Sequence, residues 1–268
     1  MVDNVTKEVP DVIDDVELLR RAIDSFGEFL ALVGEGVSPK SVVRRPDAVG
    51  ARFDDRLCPN YFNSVVVPSN TPPPVEDPGS HYVWTCADAV AGRVADTDMV
   101  LPIMGVRLED STLNLDGAAT NAEEPSLERI AAINFEAYCA SHDGDALVAR
   151  GIYFLLSIRD PRVRVYGLRV EEEFVCVAIT LRVGEDLHID FLATEQNYRR
   201  RGLACSLIKS ILVNGRREGM RTATLLATSD GLPVYERVGF RRVGVIRAYV
   251  RPGKEIEILG DAKAHLPT

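Results

Sequence analysis

Three β-rich segments follow one another with only three residues between them, and this arrangement restricts the fold more than any other feature of the chain. The segments are 162–170, 174–183 and 187–194, each rich in Val, Ile, Leu or Phe. The intervening turns, at 171–173 and 184–186, are too short for a helical crossover, which needs a dozen or more residues. The three segments are therefore predicted to form an antiparallel meander.

A strand-to-helix turn follows the meander and predicts an anion-binding site. It contains three arginines and a glycine, Arg199 to Gly202, and leads into the apolar spacing of a helix. Backbone N–H groups at a helix N-terminus have no partner within the helix and point the same way, so they bind anions. Seven Lys/Arg against two Asp/Glu make residues 195–221 locally positive, which suits a ligand with phosphates. For the turn alone, a glycine that merely begins a helix beside solvated arginines is the alternative interpretation.

Two motifs in the same order resemble those of the GNAT acetyltransferases. Arg199-Arg200-Arg201-Gly202-Leu203-Ala204 resembles the family signature R/Q-x-x-G-x-G/A, which in that family follows the fourth strand and opens a long helix. Further along, Tyr235-Glu236-Arg237-Val238-Gly239-Phe240 is similar to the family's Tyr-x-x-x-Gly-Phe. The resemblance extends roughly from Ile133 to Pro252. It implies the α+β GNAT fold, with a central mixed, mostly antiparallel sheet flanked by helices in three layers.

The resemblance implies acetyl-CoA as the acyl donor. In the family the pyrophosphate lies on the amides of the turn, and the pantetheine arm pairs with the preceding strand where two strands splay apart. Many relatives hold the pantetheine with an asparagine at the position of Thr228, so this chain departs from the pattern there. The positions that match the turn are Arg199, Arg200, Arg201, Gly202, Leu203, Ala204 and Cys205, and those that match the strand are Phe191, Leu192 and Ala193.

The resemblance also assigns the catalytic roles. Tyr235 is implied as the general acid for the coenzyme A sulfur, with a tyrosine that only packs as the alternative, and a backbone N–H near Leu192 as the oxyanion donor. The family often carries its general base on the fourth strand, where this chain has His188 and Asp190 on one face. His188 is predicted to be the base because an imidazole with a pKa near 6.5 accepts a proton at neutral pH. Asp190 or a chain of waters is the alternative.

The first half of the chain has a different charge balance and is predicted to be a separate, smaller α/β domain that shapes the acceptor site. Residues 1–130 carry 11 Lys/Arg and 23 Asp/Glu, whereas residues 131–268 carry 20 and 17. The turn PSNTPPP after Val67 has prolines in place of phosphate-binding N–H groups, so this half is not expected to bind coenzyme A. We predict a degenerate GNAT-like or accessory domain over 1–110, a linker over 111–125, the acyltransferase domain over 126–252 and a C-terminal tail over 253–268.

Local patterns predict alternating helices and strands outside the meander. Apolar residues at steps of three and four predict a helix over 15–33 that ends at Gly34 and Gly36. Pro102 cannot donate to a ladder, so its strand is predicted to lie at an edge or to bulge. Strands are predicted at 65–67, 81–86, 99–108, 222–228 and 241–250, and further helices at 87–95, 145–157 and 231–238, with another capped by Ser126.

Composition excludes several classes of function. Neither an apolar run near the roughly 18 residues of a membrane helix nor a secretory signal is present, so a cytoplasmic protein is expected. The five cysteines and four histidines are scattered, so no metal is expected, and an acidic first half argues against nucleic acid. The leading hypothesis is an N-acetyltransferase that moves an acetyl group to a primary amine of a small molecule, amino acid or peptide by direct transfer. A non-catalytic acyl-CoA-binding regulatory module and an enzyme with a bulkier acyl donor are the alternatives; the sequence leaves the oligomeric state open.

Overall fold

The computed structural model describes residues 13–53, 61–68, 80–119, 122–138 and 152–252. Among these residues, no helix is long and apolar enough to cross a lipid bilayer. The helices are α1 (Asp15–Val37), α2 (Leu127–Tyr138), α3 (152–157), α4 (Leu203–Arg217) and α5 (Leu232–Val238). The strands are β1 (Val42–Arg45), β2 (Ala48–Ala51), β3 (Ser64–Val66), β4 (Tyr82–Thr85), β5 (Val94–Arg107), β6 (Val163–Val170), β7 (Glu173–Val183), β8 (Asp186–Thr194), β9 (Thr222–Leu226) and β10 (Arg241–Val250).

All of these strands belong to one sheet, in the order β1-β2-β3-β4-β10-β5-β9-β8-β7-β6. Neighbouring strands are antiparallel except for two parallel pairs, β3 with β4 and β8 with β9. The predicted meander is β6, β7 and β8, and both of its pairings are antiparallel. The predicted fold class, α+β with a mixed and mostly antiparallel sheet, is confirmed.

Helices cover both faces of the sheet, which gives the three predicted layers. One apolar core lies under α1, α2 and α3 and is built around Phe26 and Phe29 of α1. The other lies under α4 and α5 and is built around Leu207 and Ile211 of α4. Burying each such side chain contributes roughly 1.5–3 kcal/mol, so the long amphipathic helix α1 is a main support of the sheet.

The two halves of the chain share their central strands. Strand β5, from the first half, pairs antiparallel with both β9 and β10 of the second half. Strand β10, from the second half, lies between β4 and β5 of the first half. Strand β5, from the first half, lies between β10 and β9 of the second half. The predicted units 1–110, 111–125 and 126–252 remain predictions as folding units, and the one sheet takes its strands from both 1–110 and 126–252.

Of the two predictions for Pro102, the edge position is wrong because β5 lies in the interior of the sheet, whereas a register shift does occur beside this residue. Pro102 faces Val245 of β10, and β10 has an irregular register beside it, between Arg242 and Gly244. The carbonyl of Pro102 still accepts a hydrogen bond from the amide of Ala227. The irregularity of the neighbouring strand therefore accommodates a residue that has no N–H.

Three other local predictions for the first half need correction or completion. Helix α1 continues past Gly34 to Val37; a Cβ at Gly34 would lie 2.7 Å from the Cβ of Ala51, so this glycine permits close packing rather than ending the helix. Residues 87–95 are not helical, since they form turns that lead into β5. The hairpin of β1 and β2 was not predicted from the sequence. The turn at 69–74, the start of the helix at 145–151 and the tail at 253–268 lie outside the described residues.

Candidate active site

The parallel strands β8 and β9 separate after a short paired stretch. Their pairing covers Asp186 to His188 of β8 and Thr222 to Thr224 of β9. Strand β8 then continues to Thr194, paired with β7 on its other side, while β9 remains paired with β5. The divergence leaves a cleft between β8 and β9 whose β8 wall is an extended backbone edge, the arrangement to which an extended chain can add as a further strand.

A β-bulge lies in the β8 wall of this cleft. The register with β7 shifts between the pairs Ile179–Asp190 and Val177–Ala193, and Phe191 adopts a φ of 49°. A left-handed conformation costs a residue other than glycine roughly 1–2 kcal/mol, and such strained residues cluster at functional sites. The bulge also reverses the faces of the strand, because Ile189 packs under α4 whereas Phe191 and Ala193 pack under α1.

The predicted anion-binding turn lies at the end of β8. A short 3-10 helix at Gln196–Tyr198 leads to Arg200 and Gly202, both with positive φ, and α4 begins at Leu203 without a side-chain cap. A Cβ at Gly202 would meet no atom within 4 Å, so the turn is open at this point. Within the described residues the amides of Leu203, Ala204 and Cys205 have no hydrogen-bond acceptor. These features suit the phosphate groups of coenzyme A.

The arginines of the turn hold its shape. Arg199 donates from Nε to the carbonyl of Thr194 at 3.0 Å, and Arg201 donates from Nη2 to the carbonyl of Asn197 at 2.9 Å. The Arg201 guanidinium also lies 4.9 Å above the ring of Tyr198. Their charges still make the turn electropositive, and the amides remain the groups that point at a ligand.

Tyr235 is held firmly on the short helix α5, in the same apolar cluster as Leu192. Tyr235 is 8% exposed, and its ring lies in a T-shaped arrangement with that of Phe240, with the ring centroids 6.0 Å apart. A Cβ at Gly231 would lie 2.9 Å from Cε2 of Tyr235. Thr228 accepts a hydrogen bond from the Gly231 amide at 3.2 Å, so the residue at the family's asparagine position stabilises the start of this helix.

Cys205 packs against the same helix. Its thiol donates to the carbonyl of Val234 at 3.8 Å. This contact links α4 to α5, so we assign Cys205 a packing role.

His188 is buried in the core and does not face solvent. Its side chain is 1% exposed and lies about 6 Å from the rings of Phe26 and Phe29. Desolvation lowers the pKa of His188 to about 3, because the apolar surroundings disfavour the imidazolium. The argument for His188 as the base, an ordinary pKa near 6.5, does not hold in this environment.

Asp190 is the more accessible of the two candidate bases. Its side chain is 23% exposed, and its Oδ1 accepts a hydrogen bond from the Phe191 amide at 2.7 Å. Burial raises the pKa of Asp190 to about 6, and the hydrogen bond from the amide opposes this shift. Its other oxygen, Oδ2, lies 3.9 Å from Nε2 of His188.

A buried polar cluster below His188 was not predicted from the sequence. The carboxylate of Asp186 accepts hydrogen bonds from the hydroxyls of Ser25, Thr222 and Thr224 at 2.8, 2.6 and 2.6 Å. These residues come from α1, β8 and β9, and Asp186 itself was assigned to a turn, so only the periodic alternation of β8 could have placed it beneath His188. In the described part of the chain, no three His, Cys, Asp or Glu side chains meet as metal ligands would.

The splayed strands lead into the open turn at the N-terminus of α4, as the resemblance to the GNAT acetyltransferases predicts. Residues 155–249 match the family model described as an acetyltransferase (GNAT) domain. This part of the chain is thus similar to GNAT acetyltransferase domains, a family whose general activity is acetyl transfer from acyl-CoA.

Solved structures share this fold over most of the chain. A GCN5-related N-acetyltransferase from Kribbella flavida is 16% identical and superposes with a TM-score of 0.57 over 87% of this chain and 96% of its own. A functionally unknown conserved protein from Staphylococcus epidermidis is 12% identical, with a TM-score of 0.54 over 81% and 94% of the two chains. At these identities the likeness establishes the fold, and it includes the first half. No curated protein matches the sequence significantly.

Proposed function

We propose that the protein is an acetyl-CoA-dependent N-acetyltransferase whose acceptor is a primary amine on a small molecule, amino acid or peptide. The divergence of β8 and β9 after His188 and Thr224 supports this proposal most strongly, because it leads directly to the open turn at Gly202. The thioester supplies an activated acetyl group when acetyl-CoA is bound. The amine attacks it directly while both substrates are held by the protein.

Backbone groups provide most of the proposed cofactor binding. The amides of the turn up to Cys205 receive the pyrophosphate, except that of Arg199, which donates to the carbonyl of Gln196. The open space at Gly202 allows the close approach that a Cβ would prevent. The backbone of Phe191, Leu192 and Ala193 pairs with the pantetheine arm in the part of β8 that has diverged from β9. Thr228 lies across the cleft, at the end of β9.

Two side chains manage the protons of the reaction. Asp190 accepts the proton of the amine, and a carboxylate with a pKa raised to about 6 suits a base near neutral pH. Tyr235 donates a proton to the departing thiolate, whose conjugate acid has a pKa of about 8.5. The amide near Leu192 stabilises the developing negative charge on the carbonyl oxygen. His188 acts on this site from beneath and does not itself exchange a proton with the amine.

The acceptor is proposed to be cationic before it loses its proton. The excess of Asp/Glu in residues 1–130 makes the first half strongly acidic, and its helix α1 packs against the face of β8 that carries His188. Asn63 and Trp84 of the first half are 2% and 0% exposed, so they belong to the core and are not proposed to contact the acceptor.

Isothermal titration with acetyl-CoA and with free coenzyme A tests the binding site. Gly202→Asp is expected to abolish binding, because its carboxylate would occupy the phosphate site. Gly219→Asp is the matched control: Gly219 follows the other end of α4, has a φ of 82° against 80° for Gly202, and also has open space at its Cβ. The proposal is wrong if the wild-type protein binds neither compound, or if both variants bind as it does.

The second candidate is an acyl-CoA-binding module without catalysis. The observation in its favour is Thr228, whose hydroxyl is engaged by Gly231 at the position where relatives hold the pantetheine with asparagine. Thiol release from acetyl-CoA in the presence of a panel of amines separates the two. An enzyme loses turnover in Tyr235→Phe while its cofactor affinity is retained, whereas a binding module has no turnover in either form. The same assay with longer acyl-CoA donors tests the third alternative, a bulkier acyl group.

A further inference from the structure

Five polar side chains form a continuous buried chain that ends at the proposed base. Ser25, Asp186, His188, Thr222 and Thr224 are each at most 2% exposed. Thr224 connects the two parts of this chain, since its Oγ1 donates to Asp186 at 2.6 Å and lies 3.5 Å from Nδ1 of His188. Beyond the imidazole, Nε2 of His188 faces Oδ2 of Asp190 at 3.9 Å.

The direction of these hydrogen bonds determines the tautomer of His188. A threonine hydroxyl has one proton, and that of Thr224 is donated to the carboxylate of Asp186. Thr224 can therefore only accept from His188, which places the imidazole proton on Nδ1. The remaining nitrogen, Nε2, carries a lone pair, is buried, and has no hydrogen-bond partner among the described residues. An unmet buried acceptor costs about 1–3 kcal/mol, so its persistence at this point calls for an explanation.

We propose that Asp186, acting through Thr224, holds His188 as its Nδ1–H tautomer so that Nε2 accepts a hydrogen bond from Asp190 when Asp190 is protonated. This inference rests on the proposed role of Asp190 as the general base. Oδ1 of Asp190 is already bonded to the Phe191 amide, so Oδ2 is the oxygen that takes up the proton. His188 is thus a positioning residue. It favours the protonated form of Asp190 and makes the carboxylate a stronger base, and the 3.9 Å separation closes as the proton arrives.

The parts of α1, β7 and β9 that lie next to His188 present uncharged groups to it. Helix α1 presents the aromatic rings of Phe26 and Phe29 to the imidazole. Strand β7 presents the uncharged Leu181 opposite His188, and β9 presents Thr224. The charged groups lie at the other end of the row of polar side chains, near Asp186. Arg21 of α1 donates to the hydroxyl of Thr222 at 3.3 Å, and Asp24 of α1 is close enough to interact with Asp186. Desolvation raises the pKa of Asp186, and the hydrogen bonds from its three hydroxyl donors, with the charge of Arg21, oppose this shift by favouring the ionised form.

The two threonines provide a matched pair of variants. Both are 0% exposed on the same strand, and both donate to Asp186 at 2.6 Å, one to each oxygen, but Thr224 is the one that contacts His188. In Thr224→Val the imidazole loses its acceptor and can carry its proton on Nε2, from where it donates to the Asp190 carboxylate. We expect the pKa of Asp190 to fall by about one unit in this variant. It should stay at the wild-type value in Thr222→Val, and in Thr224→Ser, which keeps the hydroxyl.

The pKa of Asp190 is measured by carbon-13 NMR titration of its carboxyl group, assigned with Asp190→Asn, and therefore does not depend on turnover. The same shift should appear in the acidic limb of the kcat/KM profile with acetyl-CoA and an amine. An unchanged pKa in Thr224→Val, or equal shifts in both valine variants, overturns the inference. A shifted NMR pKa in a protein without turnover supports the inference about His188 and overturns the proposed function instead.

The tautomer itself is read from nitrogen-15 NMR of the wild-type protein, with His188 assigned from its loss in His188→Gln. A proton on Nδ1 supports the inference, and a proton on Nε2 overturns it. This measurement decides the question even if Thr224→Val does not fold.

Discussion

A Cβ atom at Gly231 would lie 2.9 Å from Cε2 of Tyr235, so this glycine determines where the proposed general acid lies. Gly231 has a φ of −78°, which any residue can adopt, so crowding of the ring is the effect of adding a methyl group. Gly231→Ala is therefore expected to displace the Tyr235 ring and to lower kcat by about tenfold or more, while the Kd for coenzyme A is unchanged. Steady-state kinetics and titration calorimetry measure the two effects.

Two further variants make this prediction specific. Gly244→Ala on β10 crowds Leu19 at a comparable distance of 2.7 Å, away from the cleft, and should leave kcat unchanged. In a Tyr235→Phe background, Gly231→Ala should have little additional effect, because the hydroxyl it displaces is already absent. Independent losses in the double variant would contradict the idea that Gly231 acts through Tyr235.

Asp190→Asn is expected to reduce kcat/KM by about 10²- to 10⁴-fold, the usual contribution of a general base. In the wild-type protein kcat/KM should fall tenfold per pH unit below a midpoint near 6, where the raised pKa of Asp190 lies. Asp230→Asn is the control, since Asp230 is an exposed carboxylate near the start of α5. Retention of a pH-dependent rate in Asp190→Asn would mean that another group accepts the proton.

The buried His188 should make the protein sensitive to acid. Its pKa is about 3 in the folded protein and 6.5 when unfolded, so between these values the unfolded chain binds a proton that the folded protein does not. The free energy of unfolding therefore falls as the pH drops below 6.5, by about 3 kcal/mol at pH 4 from this residue. Asp190 acts in the opposite sense. Because its pKa is raised in the folded protein, its contribution to the free energy of unfolding is present at low pH and is lost as the pH rises from about 4 to 6.

Chemical denaturation of the wild-type protein and of His188→Gln at several pH values isolates this contribution. The destabilisation caused by His188→Gln should shrink by about 3 kcal/mol between pH 7 and pH 4, because only the wild-type protein loses the imidazole contribution on acidification. Ser210→Ala, a buried non-ionising change on α4, should have the same cost at every pH. A constant difference for His188→Gln would contradict the low pKa.

The position of β5 predicts that the second half does not fold alone. A fragment of residues 111–268 leaves the backbone edges of β9 and β10 without the strand that joins them, and exposes the apolar residues that pack with Ile103 and Met104. We expect this fragment to lack a cooperative unfolding transition by circular dichroism, and residues 1–110 supplied as a separate chain to restore one. A cooperative transition in the fragment alone would instead support 126–252 as an independent domain.

Local sequence patterns were sufficient for much of the second half. The meander, the strand at Arg241–Val250 and the turn at Gly202 follow from β-branched runs, short turns and a glycine before a helix, and these signals depend on neighbours in sequence. The turn resembles a family motif for the same reason, since the anion binding proposed for it depends on consecutive backbone amides. The first half was harder to predict because its strands are short and its hairpin β1–β2 has only four residues on each side.

By itself, therefore, the sequence determined the order of most elements, the fold class and the position of the turn at Gly202 that we propose to bind phosphate. Tertiary structure decided the rest. The insertion of β5 between β9 and β10 joins residues more than 100 positions apart, and pairing at that separation leaves no periodic signal. The choice between His188 and Asp190 was also beyond the sequence: both lie on one strand, but packing against Phe26 and Phe29 desolvates the imidazole, whereas the bulge at Phe191 leaves the carboxylate partly exposed. Desolvation depends on which distant side chains meet, and only the folded chain specifies that.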